Sequence, residues 1–180
     1  MKEEQPDSEV VERCLQGDID AFGALVERYQ APVFRAVLHM VGNREDAREV
    51  CQQVFLKAFE HLSTFDTSRK FFSWIYRVAM NESINFLHAR RTFEPLPEDA
   101  SSLGNPEQAF ETNERGRHVR EAVMTLSENY RAVVILGHFL HCSYADAAEM
   151  LDVPEKTVRS RLFSARQILR QALTPKGGSR

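Results

Sequence analysis

The sequence has few of the residues that build disulfide frameworks, and it has no long apolar runs. Its three cysteines, Cys14, Cys51 and Cys142, are widely spaced and form no Cys-x-x-Cys pair, which suits a reducing compartment. No apolar run approaches the ~18 residues that a membrane-spanning helix needs, and residues 1–7 are too acidic and polar for a signal peptide. We therefore expect a soluble cytoplasmic protein that does not bind membranes.

The motifs of the common enzyme and metal sites are also missing. The 8 glycines are scattered and form no phosphate-binding loop, and neither His-Glu-x-x-His nor Gly-x-Ser-x-Gly occurs. His138, His141 and Cys142 lie close together in sequence, but a zinc site there would lack its fourth ligand. We expect no catalytic residues, no metal and no cofactor, so the protein is not predicted to be an enzyme.

The sequence does have helical periodicity along most of its length, and it has no persuasive strand. Apolar residues recur every three or four positions, while Pro32 and Gly42 mark a predicted helix start and a predicted helix end. The pattern predicts five helices in the first half, at residues 7–17, 18–29, 32–42, 43 or 46 to 62, and 71–91. Further helices are predicted from about residue 106 to 126 and from 130 to 139.

Between the two groups of helices the composition changes. Proline, glycine, serine and acidic residues crowd residues 92–106. Such a segment is typical of a flexible connector that lets two units dock independently. We therefore expect an all-α fold with two small helical domains, residues 1–91 and 113–180, joined by a flexible acidic linker at residues 92–112.

The pattern from Ser143 onward predicts a helix-turn-helix. Ser143 stands where an N-cap belongs, and the sequence Asp152-Val153-Pro154 interrupts the helical repeat before a second helix starts near Glu155. The apolar positions of that second helix share one face: Val158, Leu162, Ala165 and Leu169. The polar and basic positions lie mostly on the other faces, as a DNA-reading helix requires.

The charge distribution supports contact between the C-terminal end and nucleic acid. Residues 154–180 hold 7 Lys and Arg against 1 Asp or Glu, whereas residues 92–153 hold 4 against 11. A basic end beside an acidic middle is expected if one end alone meets phosphate. The alternative is a basic C-terminal helix that complements its own dipole and stays solvated.

Three segments resemble the extracytoplasmic-function (ECF) sigma factors, the promoter-recognition subunits of bacterial RNA polymerase. The first is Leu15-Gln-Gly-Asp-Ile-Asp-Ala-Phe with Leu25-Val-Glu-Arg-Tyr. The second is Phe72-Ser-Trp-Ile-Tyr-Arg-Val-Ala-Met-Asn, and the third is Thr157-Val-Arg-Ser-Arg-Leu with Ala165-Arg166. The resemblance implies a sigma region 2 and a sigma region 4, which bind core RNA polymerase and promoter DNA and direct promoter melting in transcription initiation.

Residues for both promoter elements follow from this resemblance. A region 2 loop and the next helix would hold the unpaired minus-ten strand through Phe65, Lys70, Phe71, Arg77 and Asn81. The second helix of region 4 would read the minus-thirty-five duplex through Lys156, Thr157, Arg159, Ser160, Arg161, Phe163 and Arg166. We expect Arg159 and Phe163 to face bases, and the basic neighbours to include phosphate contacts. Ser164, where many relatives are basic, predicts an altered base preference.

The resemblance also implies a polymerase-binding helix at residues 46–62, which grips the beta-prime clamp, while region 4 meets the beta flap. Its contact residues would be Asp46, Arg48, Glu49, Gln52, Gln53, Phe55 and Leu56. Arg48 and Gln53 replace residues that are often acidic in relatives, which weakens complementarity to a basic partner. The chain is therefore predicted to bind polymerase poorly without a further charge.

A phosphate just beyond this helix is one means to supply that charge. Thr64 is the preferred acceptor, with Ser63 and Thr67 beside it, and the partner would be a Ser/Thr kinase. The alternatives are that these are ordinary loop and cap hydroxyls, or that an anti-sigma protein holds the factor back. A conventional helix-turn-helix regulator is the rival function, but it has no need for the Phe71, Trp74 and Asn81 group.

Overall fold

The computed structural model describes residues 5–93 and 114–174, and the regular structure within them is helical. The all-α prediction is therefore confirmed for this part of the chain. Most of the predicted linker lies outside the described residues, as does the predicted helix start near residue 106. None of the described helices is both long and apolar enough to cross a membrane.

The described part of the first half contains four helices. They are α1 (Asp7–Leu15), α2 (Ala21–Val41), α3 (Arg44–Glu60) and α4 (Phe71–Phe93), with a single 3-10 turn at Leu62–Thr64. Helices α2, α3 and α4 pack against one another. The core between them holds fully buried side chains: Leu25, Val33, Val37, Val54, Ile75 and Ala79.

A local sequence signal sets the start of α3. Asn43 caps α3, because its Oδ1 accepts a hydrogen bond from the backbone N–H of Asp46 at 2.9 Å. Such a cap satisfies a backbone donor that has no partner within the helix. Of the two predicted starts of α3, Asn43 and Asp46, the structure has the first, and the predicted start of α4 at Phe71 is confirmed as well.

The predicted break at Pro32 is wrong. Helix α2 runs through Pro32 to Val41 as one element. Proline cannot donate a hydrogen bond to the carbonyl of Arg28 and normally disfavours a helix interior by about 3 kcal/mol. Its neighbours on the core side, Tyr29 and Val33, are buried, and α2 packs against both α3 and α4. The packing of this face offsets the lost hydrogen bond, because most helix stability in proteins comes from burial of an apolar face.

The second half also contains four described helices. They are α5 (Glu114–Met124), α6 (Glu128–Val134), α7 (Tyr144–Leu151) and α8 (Glu155–Leu173). Helix α6 continues into a wider, π-type turn at Ile135–Phe139. Helix α8 packs against both α6 and α7.

The predicted helix-turn-helix is confirmed as α7, a tight turn and α8. Ser143 Oγ accepts a hydrogen bond from the Asp146 N–H at 3.1 Å, and Asp146 Oδ2 accepts one from the Ser143 N–H at 3.3 Å. This reciprocal capping box fixes the start of α7. Asp152 ends the helix in the left-handed region, with φ 53° and ψ 46°, and Pro154 precedes α8.

The two halves pack against each other. Helix α4 lies against α7, and α2 lies against the π-type turn. Arg131 of α6 is buried and donates a hydrogen bond to the backbone carbonyl of Met40 in α2. The rings of His39 and Phe139 lie 4.1 Å apart between their centroids. The second half therefore shares an interface with α2 and α4, and within the helix-turn-helix α7 lies against α4.

Candidate nucleic-acid interface

Helix α8 separates an apolar face from a polar face, as predicted. Three of its apolar residues, Val158, Leu162 and Ala165, are buried, and Leu169 is half-buried. Five of the predicted DNA contacts are exposed: Lys156, Arg159, Ser160, Phe163 and Arg166. The other two, Thr157 and Arg161, are half-buried. Phe163 is 64% exposed, which is unusual for a large apolar ring and leaves it free to contact a ligand.

Two neighbours hold the guanidinium of Arg159. Its Nε and Nη2 donate hydrogen bonds to Oε1 of Glu155 at 3.0 and 2.5 Å, and its Cζ lies 4.9 Å from the ring centroid of Tyr144. A side chain that is already ordered loses less entropy on binding a base edge. Glu155 and Tyr144 were missed by sequence reasoning. The four-residue spacing signals Glu155, whereas only the fold brings Tyr144 to this place.

The histidines before α7 do not form part of a metal-ligand cluster in the described part of the chain. Among residues 5–93 and 114–174, no three His, Cys, Asp or Glu side chains are grouped as metal ligands would be. His138 Nε2 instead accepts a long hydrogen bond of 3.4 Å from Nε of Arg166. Partial burial, and then the charges of Arg166 and His141, hold the pKa of His138 below its usual value. A neutral His138 is therefore favoured as the acceptor for Arg166.

The loop before α4 is built around three aromatic rings. The centroids of Phe65 and Phe71 lie 5.7 Å apart, and those of Trp74 lie 5.2 Å from Phe65 and 5.5 Å from Phe71. Phe65 and Phe71 are both buried. In this structure the two rings support the loop from beneath and do not face solvent. Direct contact of either ring with a base stays a prediction.

The polar residues predicted for the same surface lie along α4 and just before it. Lys70 and Asn81 are exposed, and Arg77 is half-buried. Spacings of seven and four residues place these three side chains on one side of the helix. The Arg77 guanidinium is not free, because its Nη2 lies 2.9 Å from Oδ2 of Asp152 at the end of α7. The helix-turn-helix therefore covers part of this surface.

A groove of about 790 Å³ runs between α2 and α3. Its lining is mostly apolar: Ile19, Phe22, Val26, Phe34, Phe55, Leu56 and Phe59. Ile19, Leu56 and Phe59 are each more than 40% exposed. An exposed apolar groove is a candidate interaction site, and its contact with polymerase stays a prediction. Four of the seven predicted polymerase contacts line the groove: Arg48, Gln52, Phe55 and Leu56.

The remaining predicted contacts of α3 lie beside the groove. Glu49 and Gln53 are exposed. Asp46 is half-buried and occupied, since its Oδ2 accepts a hydrogen bond from Arg90 at 2.5 Å and another from the side chain of Asn43. Asp46 thus serves the start of α3, and its contact with a partner stays a prediction.

The three predicted phosphate acceptors are exposed. Ser63, Thr64 and Thr67 lie in and just after the 3-10 turn that follows α3. Thr64 Oγ1 donates a hydrogen bond to the carbonyl of His61 at 2.7 Å. This bond supports the alternative reading of Thr64 as a turn hydroxyl, while its exposure leaves it accessible to an enzyme.

Comparisons with known proteins agree with the division of the chain into two helical units. The Sigma-70 region 2 model matches residues 25–93, and the Sigma-70, region 4 model matches residues 117–169. The chain is 34% identical to the ECF RNA polymerase sigma-E factor of Haemophilus influenzae, over 97% of this chain and 99% of the relative.

Solved structures are also similar. An engineered region 2 of sigmaE in complex with GTAAAA is 41% identical, with a TM-score of 0.50, and covers 53% of this chain and 100% of its own. The sigma factor RpoE in complex with the anti-sigma factor NepR from Bartonella quintana is 19% identical, with a TM-score of 0.69, over 86% of this chain and 98% of that one. The second likeness shows the fold alone.

Proposed function

The chain belongs to the ECF sigma factors, which serve transcription initiation, and from this membership we propose how its surfaces divide that work. Region 2 is assigned to residues 1–91, the linker to residues 92–112 and region 4 to residues 113–180. The partners are core RNA polymerase and promoter DNA, and the protein acts in the cytoplasm as a DNA-binding initiation factor without catalytic residues.

The apolar groove between α2 and α3 is the proposed site for the beta-prime clamp of polymerase. This groove is the observation that carries the proposal, because a conventional helix-turn-helix regulator has no need for it. Arg48, Gln52, Phe55 and Leu56 line the groove. Apolar anchors at the centre of an interface supply most of its binding free energy, and charges at its rim tune the rate and selectivity.

Two residues of this surface weaken it toward a basic partner. Arg48 lines the groove and Gln53 is exposed beside it. A like charge that faces a basic partner can disfavour a complex by several kcal/mol. The unmodified protein is therefore proposed to bind polymerase weakly, and acidic substitutions at both positions to strengthen it.

Helix α8 is proposed to read the minus-thirty-five element in the major groove, while region 4 rests on the beta flap. Phe163 and Arg159 are one turn apart on its exposed side. Arg159 suits a guanine edge, and an apolar ring suits a thymine methyl group. Lys156 and Arg166 are exposed toward either end of the same side and are proposed as phosphate contacts.

Helix α4 and the loop before it are proposed to hold the melted minus-ten strand. Lys70 and Arg77 supply positive charge, and Asn81 supplies an amide that matches base edges. The buried rings of Phe65 and Phe71 give the loop a firm base. A region 2 that is 41% identical has been solved in complex with GTAAAA, which supports nucleic-acid binding by this part of the fold.

Two modes of control are proposed as alternatives. In the first, a Ser/Thr kinase phosphorylates Thr64 and adds the charge that the surface of α3 lacks. In the second, an anti-sigma protein covers the factor, as NepR binds the RpoE of Bartonella quintana, a protein of similar fold. Thr64 is exposed four residues after the end of α3, so a kinase could reach it, and this supports the first alternative.

The decisive experiment measures binding of the purified protein to core RNA polymerase. The unmodified protein is compared with an Arg48→Glu and Gln53→Glu double variant. A matched control carries Arg13→Glu and Gln16→Glu, which make the same charge change on exposed positions of α1 and at its end. We expect weak binding by the unmodified protein and by the control, and binding several-fold tighter by the α3 variant.

Tight binding of duplex DNA by the protein alone, with no binding of any version to polymerase, would instead identify a helix-turn-helix regulator. Equal gains for the α3 variant and the α1 control would show a nonspecific effect of net charge. That result would contradict the assignment of the groove as the polymerase-binding site.

A further inference from the structure

We propose that Glu155 is a positioning residue that sets the sequence selectivity of α8, because its carboxylate holds Arg159 for a base edge and away from the phosphate backbone. The inference rests on the proposed function of α8 in reading the minus-thirty-five element. It adds that an acidic residue, and not a further cation, determines how selectively the helix reads that element.

Glu155 is the single acid of α8. Residues 154–180 hold 7 Lys and Arg against 1 acidic residue, and that residue is Glu155. It lies in the first turn of α8, and the N-terminal residues of the second helix are the ones that contact base edges in a helix-turn-helix. A carboxylate at this place repels DNA phosphates and so opposes the sequence-independent part of binding. A role for Glu155 in DNA recognition must therefore concern selectivity and not overall affinity.

The hydrogen bonds between Glu155 and Arg159 occupy one edge of the guanidinium. Nε and Nη2 of Arg159 donate to Oε1 of Glu155 at 3.0 and 2.5 Å. An arginine side chain carries five N–H groups in a fixed planar fork. These two bonds engage the side of the fork and leave the parallel N–H groups at its end, on Nη1 and Nη2, for O6 and N7 of guanine. Glu155 thus selects the part of Arg159 that meets a base.

The ring of Tyr144 restrains the same guanidinium from a second direction. Arg159 Cζ lies over this ring, 4.9 Å from its centroid. Tyr144 is the first residue of α7, and the capping box of Ser143 and Asp146 fixes the start of that helix. The guanidinium therefore has a ring on one side and a carboxylate on another. These two restraints hold Arg159 in place although its side chain is 63% exposed.

Such restraint matters because phosphates and bases compete for the same cation. Phosphate contacts supply most of the nonspecific affinity and carry no sequence information, whereas base contacts carry it. An unrestrained arginine on this surface is attracted to phosphate by its full charge. Pairing with Glu155 offsets that charge and keeps the end of the fork available, so a guanine edge is favoured relative to a phosphate.

Another Arg–Glu pair in the same half of the chain provides a comparison. Arg117 and Glu121 of α5 are also four residues apart, and their closest nitrogen and oxygen atoms are separated by 3.8 Å. The side chains of this pair are 62% and 50% exposed, similar to the 63% and 43% of Arg159 and Glu155. The distance within the α8 pair is shorter, 2.5 Å, and Tyr144 lies against it. The α5 pair therefore serves as a matched control of equal spacing and exposure.

The test compares Glu155→Ala with Glu121→Ala, each of which removes the acid of one surface Arg–Glu pair. The full-length protein is assembled with core RNA polymerase and presented with duplexes in which each position of the minus-thirty-five element is varied in turn. Polymerase is common to every version, so differences between versions report on the substituted residue. Arg159→Ala and the double variant of Arg159→Ala with Glu155→Ala complete a mutant cycle.

We expect Glu155→Ala to lose about two- to fivefold of the preference at the base pair that Arg159 reads, the range that an exposed ion pair can supply. The slope of log affinity against log salt should steepen by about 0.9, because the released Arg159 binds one more phosphate. In the Arg159→Ala background, removal of Glu155 should leave the base preference unchanged. Glu121→Ala should change neither the preference nor the slope.

Glu155→Gln separates positioning from charge. Glutamine keeps an acceptor oxygen at about the same reach but carries no charge. If Glu155 positions Arg159, the glutamine variant retains part of the base preference and lies between the unmodified protein and Glu155→Ala. If Glu155 only complements the helix dipole, glutamine and alanine remove the same charge and the two variants behave alike.

Two results would overturn the inference alone. The first is an unchanged base preference in Glu155→Ala together with a clear loss in Arg159→Ala. The second is equal behaviour of Glu155→Gln and Glu155→Ala, which would assign Glu155 to the helix dipole. If Arg159→Ala itself lost no base preference, the proposed reading role of Arg159 would fail, and the inference with it. The Arg159→Ala variant therefore distinguishes failure of the inference from failure of the proposed function.

Discussion

The buried guanidinium of Arg131 in α6 donates a hydrogen bond to the backbone carbonyl of Met40 in α2. Its Nη2 also donates to the carbonyls of Met124 and Leu126, at 2.8 and 2.9 Å. Three carbonyls from both halves of the chain thus depend on one cation. A buried acceptor that loses its donor destabilises the folded state by its full desolvation penalty.

This arrangement predicts that Arg131→Met is strongly destabilising although methionine fills much of the same volume. We expect a loss of about 3 kcal/mol or more in the free energy of unfolding, because the carbonyls of Met40 and Leu126 stay buried without this donor and that of Met124 stays partly buried. Urea denaturation followed by circular dichroism measures it. Arg170→Met, at an exposed position of α8, should change stability by less than about 0.5 kcal/mol. Equal stability of the two variants would contradict the prediction.

The two prolines at helix positions should respond in opposite directions to alanine. Pro32→Ala restores a hydrogen bond inside α2 and should raise the free energy of unfolding by about 3 kcal/mol. This gain is reduced by about 1 kcal/mol because alanine gives the unfolded chain more conformational freedom than proline. Pro154 is the N-cap of α8, with φ −59°, where proline is compatible with the backbone and no helical bond is missing. Pro154→Ala should therefore lose about 0.4 to 1 kcal/mol. Thermal unfolding of both variants shows whether each stability change has the predicted direction. A lower melting temperature for Pro32→Ala would refute the prediction that this variant is more stable.

Helix ends were predictable where the signal is local, and they were not where burial decides. Asn43 and Ser143 cap helices through side-chain bonds three residues away, so the sequence near each one contains the whole signal. Pro32 is a local breaker, and nothing within a few residues shows that its helix packs against both α3 and α4. The predicted break at Pro32 failed for this reason.

The α8 surface predicts two distinct kinds of DNA variant. Arg159→Ala should relax the preference at one base pair of the minus-thirty-five element and lose about 1 to 3 kcal/mol there. Lys156→Ala should weaken binding to all duplexes alike and lower the slope of log affinity against log salt by about 1. Selection from a random duplex library, followed by salt titration of the selected sequence, measures both effects. If Arg159→Ala weakened binding to all duplexes equally, Arg159 would be a phosphate contact and not a base contact.

The capping box of α7 predicts a pH-dependent stability. Ser143 holds the pKa of Asp146 below its usual 3.8, so the folded state binds this proton less readily than the unfolded chain. The contribution is therefore complete above about pH 5 and is lost as the pH falls through the folded pKa. Ser143→Ala should lower stability by about 1 kcal/mol at pH 7, and its deficit should shrink below pH 4. Unfolding titrations from pH 7 to pH 3 test this, and a constant deficit would contradict the assigned cause.

Much of the candidate site was visible in the sequence, because the period of α8 separates its exposed cations from its buried apolar face. The partners of those cations were not visible. Tyr144 reaches Arg159 only through the helix crossing, and Asp152 reaches Arg77 across 75 residues of chain. The acidic balance of residues 92–153 was evident from composition. The sequence did not show which of these acids pair with cations of α4, because that depends on how the two halves pack.

The distance between Thr64 and Arg48 decides how a phosphate on Thr64 could act. It could neutralise Arg48, or it could add a separate negative charge to the surface. Arg48 lies 12 residues before the end of α3 at Glu60, a rise of about 18 Å at 1.5 Å per residue. Exposed charges at that separation are largely screened, because the Debye length is about 8 Å at physiological salt. A phosphate on Thr64 therefore does not neutralise Arg48. It adds a separate negative charge at the opposite end of the helix.

Thr64→Glu and Arg48→Glu should consequently strengthen polymerase binding independently. We expect each to increase affinity several-fold, and the double variant to combine both gains with a coupling of less than about 0.5 kcal/mol. Ser63→Glu is the matched control, because it places the same charge one exposed residue away. Titration of core polymerase with the four proteins measures the cycle. Equal gains from Ser63→Glu would show that position is unimportant, and no gain from Thr64→Glu would leave Thr64 as a turn hydroxyl bonded to His61.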